Sequence, residues 1–136
     1  MFDSSNFKLL LVFSEPILSD LVSFRLELLG FNVTAVEDGG QAAAEISRSI
    51  PDLVIVDTVL RDGDGLEWIA RIRTEHAADR LPIIIFSLDP SLETVERAYH
   101  AGAQDYLITP FDPTVMEEKI ETLLLSQKTS VKAKAK

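Results

Sequence analysis

Short apolar runs alternate with longer stretches of helical periodicity along the whole chain. Five runs read as strands: residues 8–13, 31–36, 53–57, 82–87 and 105–108. Most of them barely alternate between apolar and polar side chains, the pattern of strands buried on both faces. After the first run, Ile17, Leu21, Phe24 and Leu28 recur at helical spacing, and Gly30 stands where a C-terminal cap belongs. Leu18, Val22, Leu26 and Leu29 lie off that row, so this helix is apolar almost all round and part of it is expected to be a docking surface. A second helix is predicted over residues 41–49, ending before Ile50-Pro51, and a third sets Leu66, Ile69 and Ile72 on one face. Asp89-Pro90 and Asp112-Pro113 each place a capping aspartate before a proline suited to a first helical turn, which predicts helices four and five. Strict strand–helix alternation implies a parallel sheet flanked by helices, a doubly wound α/β domain over residues 1–126. Residues 127–136 are lysine-rich and aperiodic, and read as a flexible tail or linker.

Composition narrows the function classes. With 46% hydrophobic residues in a chain of 136, there is enough apolar material for one proper core. The absence of cysteine excludes disulfides and thiolate zinc sites, and two histidines alone do not complete a transition-metal shell. A net charge of -9 and a pI near 4.6 would repel a phosphate backbone, so proteins or cations are the expected partners and nucleic acid is not. The apolar stretch 9–13 is too short for a membrane span or a signal-peptide core and is closed by Ser14, Glu15 and Pro16. A soluble, cytoplasmic protein without membrane contact is expected.

In open parallel sheets, ligands gather at the carboxyl ends of the strands near the point where strand order reverses. Asp57 closes the third run after four apolar residues and should stand at that edge, beside Phe13 and Ser14. Ser87 closes the fourth run and Thr109 follows the fifth, so a carboxylate ringed by hydroxyls is expected there. Spacing alone is equally consistent with Asp57 capping the loop that follows it. The segment Asp62-Gly63-Asp64-Gly65 looks like a fragment of a calcium loop, but its ligand alternation and terminal glutamate are out of register, and it reads as a turn.

Over residues 7–126 the chain resembles a response-regulator receiver domain. P-D-L-V-I-V-D followed by L-x-D-G-D-G-L is similar to that family's phosphoacceptor strand and loop, with Asp57 on the phosphoacceptor position. P-I-I-I-F-S puts Ser87 on the switch Ser/Thr position. A-G-A-Q-D-Y-L-I-T-P-F resembles the strand-five signature, with Tyr106 on the switch aromatic and Pro110 on the cis-peptide proline. The resemblance implies a (βα)5, flavodoxin-like sheet of strand order 2-1-3-4-5 and a role in two-component or phosphorelay signal transduction. It also implies a histidine kinase or an output protein as partner, with a homodimer among the assemblies allowed.

The chain departs from the family pattern at three places, the first of them a pair of residues. Its acidic pair at the end of strand one is replaced by Phe13 and Ser14, its lysine by Thr109, and its small residue after the switch position by Leu88, which adds bulk at the pocket mouth. Magnesium prefers octahedral oxygen ligands, and only Asp57, the Val59 carbonyl and Glu15 remain as weak candidates, so no metal or other cofactor is expected. The chain then reads as an atypical receiver: an interaction module whose Asp57 is hydrogen-bonded by Ser14, Ser87 and Thr109. The alternative is an ordinary receiver phosphorylated on Asp57 by a partner kinase, with magnesium held by Glu15 and backbone ligands. A flavin-binding electron carrier would need a glycine- and hydroxyl-rich loop after the first strand, which F-S-E-P-I-L is not. No second acid, base or nucleophile is visibly paired with Asp57, so an enzyme is not expected. Trp68 reads as partly buried or as a partner contact, Tyr106 as a switch or a fixed surface aromatic, and His76 and His100 as helix-end residues.

Overall fold

Alternate side chains of each central strand point to opposite faces of the sheet, and this divides the apolar residues into two layers. The computed structural model describes residues 3–134, and side chains through residue 126. Its five parallel strands are β1 (Lys8–Val12), β2 (Asn32–Val36), β3 (Leu53–Asp57), β4 (Ile83–Ser87) and β5 (Asp105–Ile108), in the order β2-β1-β3-β4-β5. The helices are α1 (Pro16–Leu28), α2 (Gly39–Arg48), α3 (Gly65–Arg73), α4 (Leu92–Ala101) and α5 (Pro113–Lys134). On one face, Leu10, Val12, Val54, Val56, Ile83 and Ile85 pack with Ala42 and Ile46 of α2, Ile69 and Ile72 of α3 and Ala98 of α4. On the other, Leu9, Leu11, Ile55, Ile84 and Phe86 pack with Val22 and Leu26 of α1 and Met116, Ile120 and Leu124 of α5. This is the doubly wound sheet and strand order expected.

Several local features differ from the sequence reading. In α1 the side facing the sheet carries Ser19, Val22 and Leu26, while the row Ile17, Leu21, Phe24 and Leu28 faces solvent. α4 is capped by Ser91, which accepts from the Thr94 amide, and not by Asp89. Asp89 instead accepts from the Ser91 amide at 2.9 Å and the Thr94 hydroxyl at 2.7 Å, bracing the loop one turn earlier. Asp112 does take the role expected of it, accepting from the Thr114 amide at 2.8 Å ahead of α5. The backbone of α5 stays helical through Lys134, beyond the boundary expected at residue 126, because Lys, Ala and Gln are themselves good helix formers. Residues 135 and 136 of the expected tail lie outside the described residues.

Trp68 is buried, its indole N–H donating to the Gly39 carbonyl at 2.9 Å, so it ties α3 to the start of α2 and is not a partner contact. The half-buried Arg73 guanidinium donates to the carbonyls of Gly102 (2.8 Å), Leu81 (2.6 Å) and His76 (3.2 Å) and to Gln104 Oε1 (2.7 Å). One side chain thus fastens the ends of α3 and α4 to the loops that lead into β4 and β5.

Candidate functional site at the strand ends

Parallel pairing brings the carboxyl ends of β3, β4 and β5 together: Asp57 stands opposite Phe86, and Ser87 opposite Ile108. Immediately beyond β3, a short antiparallel ribbon pairs Val59–Leu60 with Gly63–Asp64. Gly65 follows it, and a Cβ there would lie 2.1 Å from the Asp57 carbonyl oxygen, so only glycine lets α3 start so close to the strand end. The Gly65 amide donates to the Thr58 carbonyl at 2.8 Å, closing the loop. The aspartates of this segment serve helix starts: Asp62 accepts from the Gly39 and Gly40 amides at 2.8 and 3.0 Å, and Asp64 from Leu66 at 2.8 Å. The segment is a turn, as its register indicated.

Asp57 is half-buried, and its Oδ1 accepts from the Thr58 amide at 2.6 Å, the Thr58 hydroxyl at 3.3 Å and the Val59 amide at 3.5 Å. Burial pushes its pKa above the ordinary carboxylate value, opposed by the hydrogen bonds from Thr58 and Val59. Among the described residues no lysine or arginine pairs with it. The arginines of the adjoining cleft are engaged elsewhere, Arg61 with Glu37 and Arg97 with Asp64 at 3.6 Å.

The ring of hydroxyls expected around Asp57 is not what forms. Ser14 Oγ donates to the Val59 carbonyl at 3.2 Å, Thr109 is buried with its amide on the Ser87 carbonyl at 2.8 Å, and Ser87 reaches Asp57 only through Thr58. The hydroxyl that bonds the carboxylate belongs to Thr58, because the backbone turn after a strand-end aspartate folds back onto its side chain. An Asp-Thr pair closing an apolar run was the available signal.

Thr58 also starts a relay away from the carboxylate. Its Oγ1 lies 3.0 Å from Ser87 Oγ, which accepts from the Asp89 amide at 3.0 Å. The Asp89 carbonyl in turn accepts from the Tyr106 hydroxyl at 2.7 Å. Tyr106 is buried and turned inward, so it is not a surface aromatic.

The remaining candidates are placed as follows. Phe13 does not stand at the site. It is fully buried in the α1–α5 layer, its ring 5.9 Å from that of Phe86, which meets Phe111 edge-on at 4.9 Å. Glu15 caps α1 through the Ile17 amide at 3.1 Å. Leu88, expected to crowd the mouth, is 78% exposed and stands largely in solvent. Pro110 follows a cis peptide bond. His76 and His100 take no part in the site.

These donors do not fit a magnesium ion. Asp57 brings one carboxylate, Glu15 is committed to its helix, the Val59 carbonyl already accepts from Ser14, and no cluster of three metal-ligating side chains occurs among the described residues. What the arrangement offers chemically is a single carboxylate in a neutral, partly desolvated setting.

The sequence profile of the response regulator receiver domain family matches residues 9–121. The probable transcriptional regulatory protein TcrX of Mycobacterium tuberculosis is 31% identical over 122 residues, covering 90% of this chain and 51% of that protein. The chain spans about half the length of the curated relatives it matches. A receiver domain protein from Methanospirillum hungatei superposes with a TM-score of 0.84 at 25% identity, covering 91% of this chain and 98% of that one. The receiver domain of the sensor histidine kinase PA1611 from Pseudomonas aeruginosa, solved with a magnesium ion coordinated in its active site cleft, superposes at 0.79 with 29% identity over 87% and 97% of the two chains. Among the described residues no helix is long and apolar enough to cross a membrane.

Proposed function

Because the chain belongs to the response regulator receiver domain family, matched over residues 9–121, we propose that it is an atypical receiver: a protein-interaction module of two-component signalling that works without magnesium-dependent phosphorylation of Asp57. The observation that carries this reading is the setting of Asp57, whose hydrogen-bond donors are the neutral Thr58 and Val59. An aspartate that accepts a phosphoryl group needs charge neutralised on the group in flight. Removing one such electrostatic partner typically costs about 3 to 4 kcal/mol of transition-state stabilisation, roughly two to three orders of magnitude in rate. Here a buried phenylalanine, a serine and a buried threonine stand where the family pattern has two acids and a lysine.

The expected partners are a histidine kinase or an output protein. A net charge of -9 supports protein partners over nucleic acid for this domain, and a cytoplasmic setting accords with both. The second reading, an ordinary receiver phosphorylated on Asp57, is favoured by one feature. Asp57 is only half-buried and is linked through Thr58 to Ser87 and onward to Tyr106. Intact mass after incubation with a small acyl phosphate and magnesium separates the two, with Asp57→Asn and a standard receiver in parallel. The atypical reading expects no adduct on the folded protein; an adduct that disappears in Asp57→Asn overturns it.

A further inference from the structure

α1 is apolar on the side away from the core as well as on the side that faces it. Val22 and Leu26 are buried against the sheet, while Ile17, Leu21, Phe24 and Leu28 are 71%, 63%, 64% and 67% exposed. Their spacing of four, three and four residues is the d-a-d-a seam by which one helix packs along another. The stripe presents roughly 500 Å², near the upper end of what a monomer leaves uncovered. The apolar cleft between α1 and the start of α5, lined by Leu18, Leu21, Pro110, Phe111 and Met116, continues it.

The flanks of the seam carry different charges, and this selects what covers it. Asp20 and Glu27 lie along one side, and Arg25 along the other. Two copies of α1 laid antiparallel would set Asp20 against the second copy's Glu27, a repulsive contact. Laid parallel and in register, they set Asp20 beside the second copy's Arg25, twice over by symmetry. Arg25 is already steadied by Glu117 at 2.6 Å, and its side chain remains 46% exposed.

We propose that the outer face of α1 is a self-association seam, in which two copies of this chain pack their α1 helices parallel around a two-fold axis along the helices. A helix of 13 residues gives just under two heptads. Two stripes bury about 1,000 Å² in total, which lies with weak and transient interfaces. The net charge of -9 on each copy opposes the approach, so assembly belongs to high protein concentration and moderate ionic strength. This surface is independent of whether Asp57 is phosphorylated.

Sedimentation velocity of the full chain, from low to several hundred micromolar at physiological ionic strength, tests the proposal. The mass is expected to rise from one chain toward two, and Phe24→Lys to stay monomeric with an unchanged melting curve, since Phe24 is exposed. Asp20→Lys and Arg25→Glu should each weaken the dimer about tenfold, the effect of losing two modest ion pairs. Mixing these two variants should restore it, because position 20 of each copy then faces an opposite charge at position 25 of the other. A chain that is monomeric at every concentration, or a dimer indifferent to Phe24→Lys, overturns the seam. A mixture no stronger than its separate components overturns the parallel arrangement.

Discussion

Replacing Phe13 with alanine removes a fully buried ring from one end of the Phe13–Phe86–Phe111 series. Withdrawing that surface from the core forfeits about 2 to 3 kcal/mol of transfer free energy. The hole it leaves adds about 1 to 2 kcal/mol, since strands β1, β3 and β4 are held in register and cannot collapse far. The expected cost of Phe13→Ala is therefore about 3 to 5 kcal/mol, a large share of the roughly 5 to 15 kcal/mol available to a domain of this size. Phe13→Leu, which keeps most of the volume, should cost less than about 1.5 kcal/mol. Phe13→Asp, the change toward the family pattern, should be the worst of the three, because it adds an unpaired carboxylate to the lost ring. Urea denaturation followed by the fluorescence of Trp68, the sole tryptophan and a buried one, measures all three. A cost below about 1 kcal/mol for Phe13→Ala, or a Phe13→Asp variant as stable as the parent, would refute the placement of this ring in the core.

Two further variants test the polar framework. Since burial raises the Asp57 pKa, the native state holds that proton more tightly than the unfolded chain, and stability falls as pH rises from the ordinary carboxylate range through the raised native value. Asp57→Asn should thus be more stable than the parent at neutral pH, with the difference closing below a pH of about 3.5 in urea titrations; a variant less stable at neutral pH refutes the assignment. Arg73→Ala strands carbonyls that the guanidinium now serves and should cost about 2 to 4 kcal/mol, with Arg73→Lys recovering only part because an ammonium lacks the planar fork. A melting temperature unmoved by Arg73→Ala would show that the clamp contributes nothing.

The strands were legible because stretches such as 53–56 and 83–86 are continuously apolar, and only a buried parallel sheet accommodates such runs in alternation with helices. The orientation of α1 was not legible for a related reason. A helix with apolar residues at nearly every angle has no phase, so the row that marks it as helical does not say which side the sheet lies on. The neighbourhood of Asp57 was half legible. Its position at a strand end follows from the pattern, but its partners were sought on neighbouring strands, whereas the nearest donors to a strand-end carboxylate are those of its own turn. At α4, Asp89 and Ser91 are both good caps by residue type, and the hydrogen bonds from the Ser91 amide and the Thr94 hydroxyl to Asp89 decided between them.

The sheet also keeps two surfaces apart. The relay from Asp57 through Thr58 and Ser87 to Asp89 and Tyr106 leads toward α4, while α1 lies behind the sheet with Phe13 and Phe86. The two sides meet at this end of the sheet through the hydrogen bond from Ser14, just ahead of α1, to the Val59 carbonyl. On the proposed seam, weakening α1 through its flanking charges should therefore look like dilution, reversible by adding protein, whereas breaking the hydrogen bonds at Thr58 should be felt at every concentration.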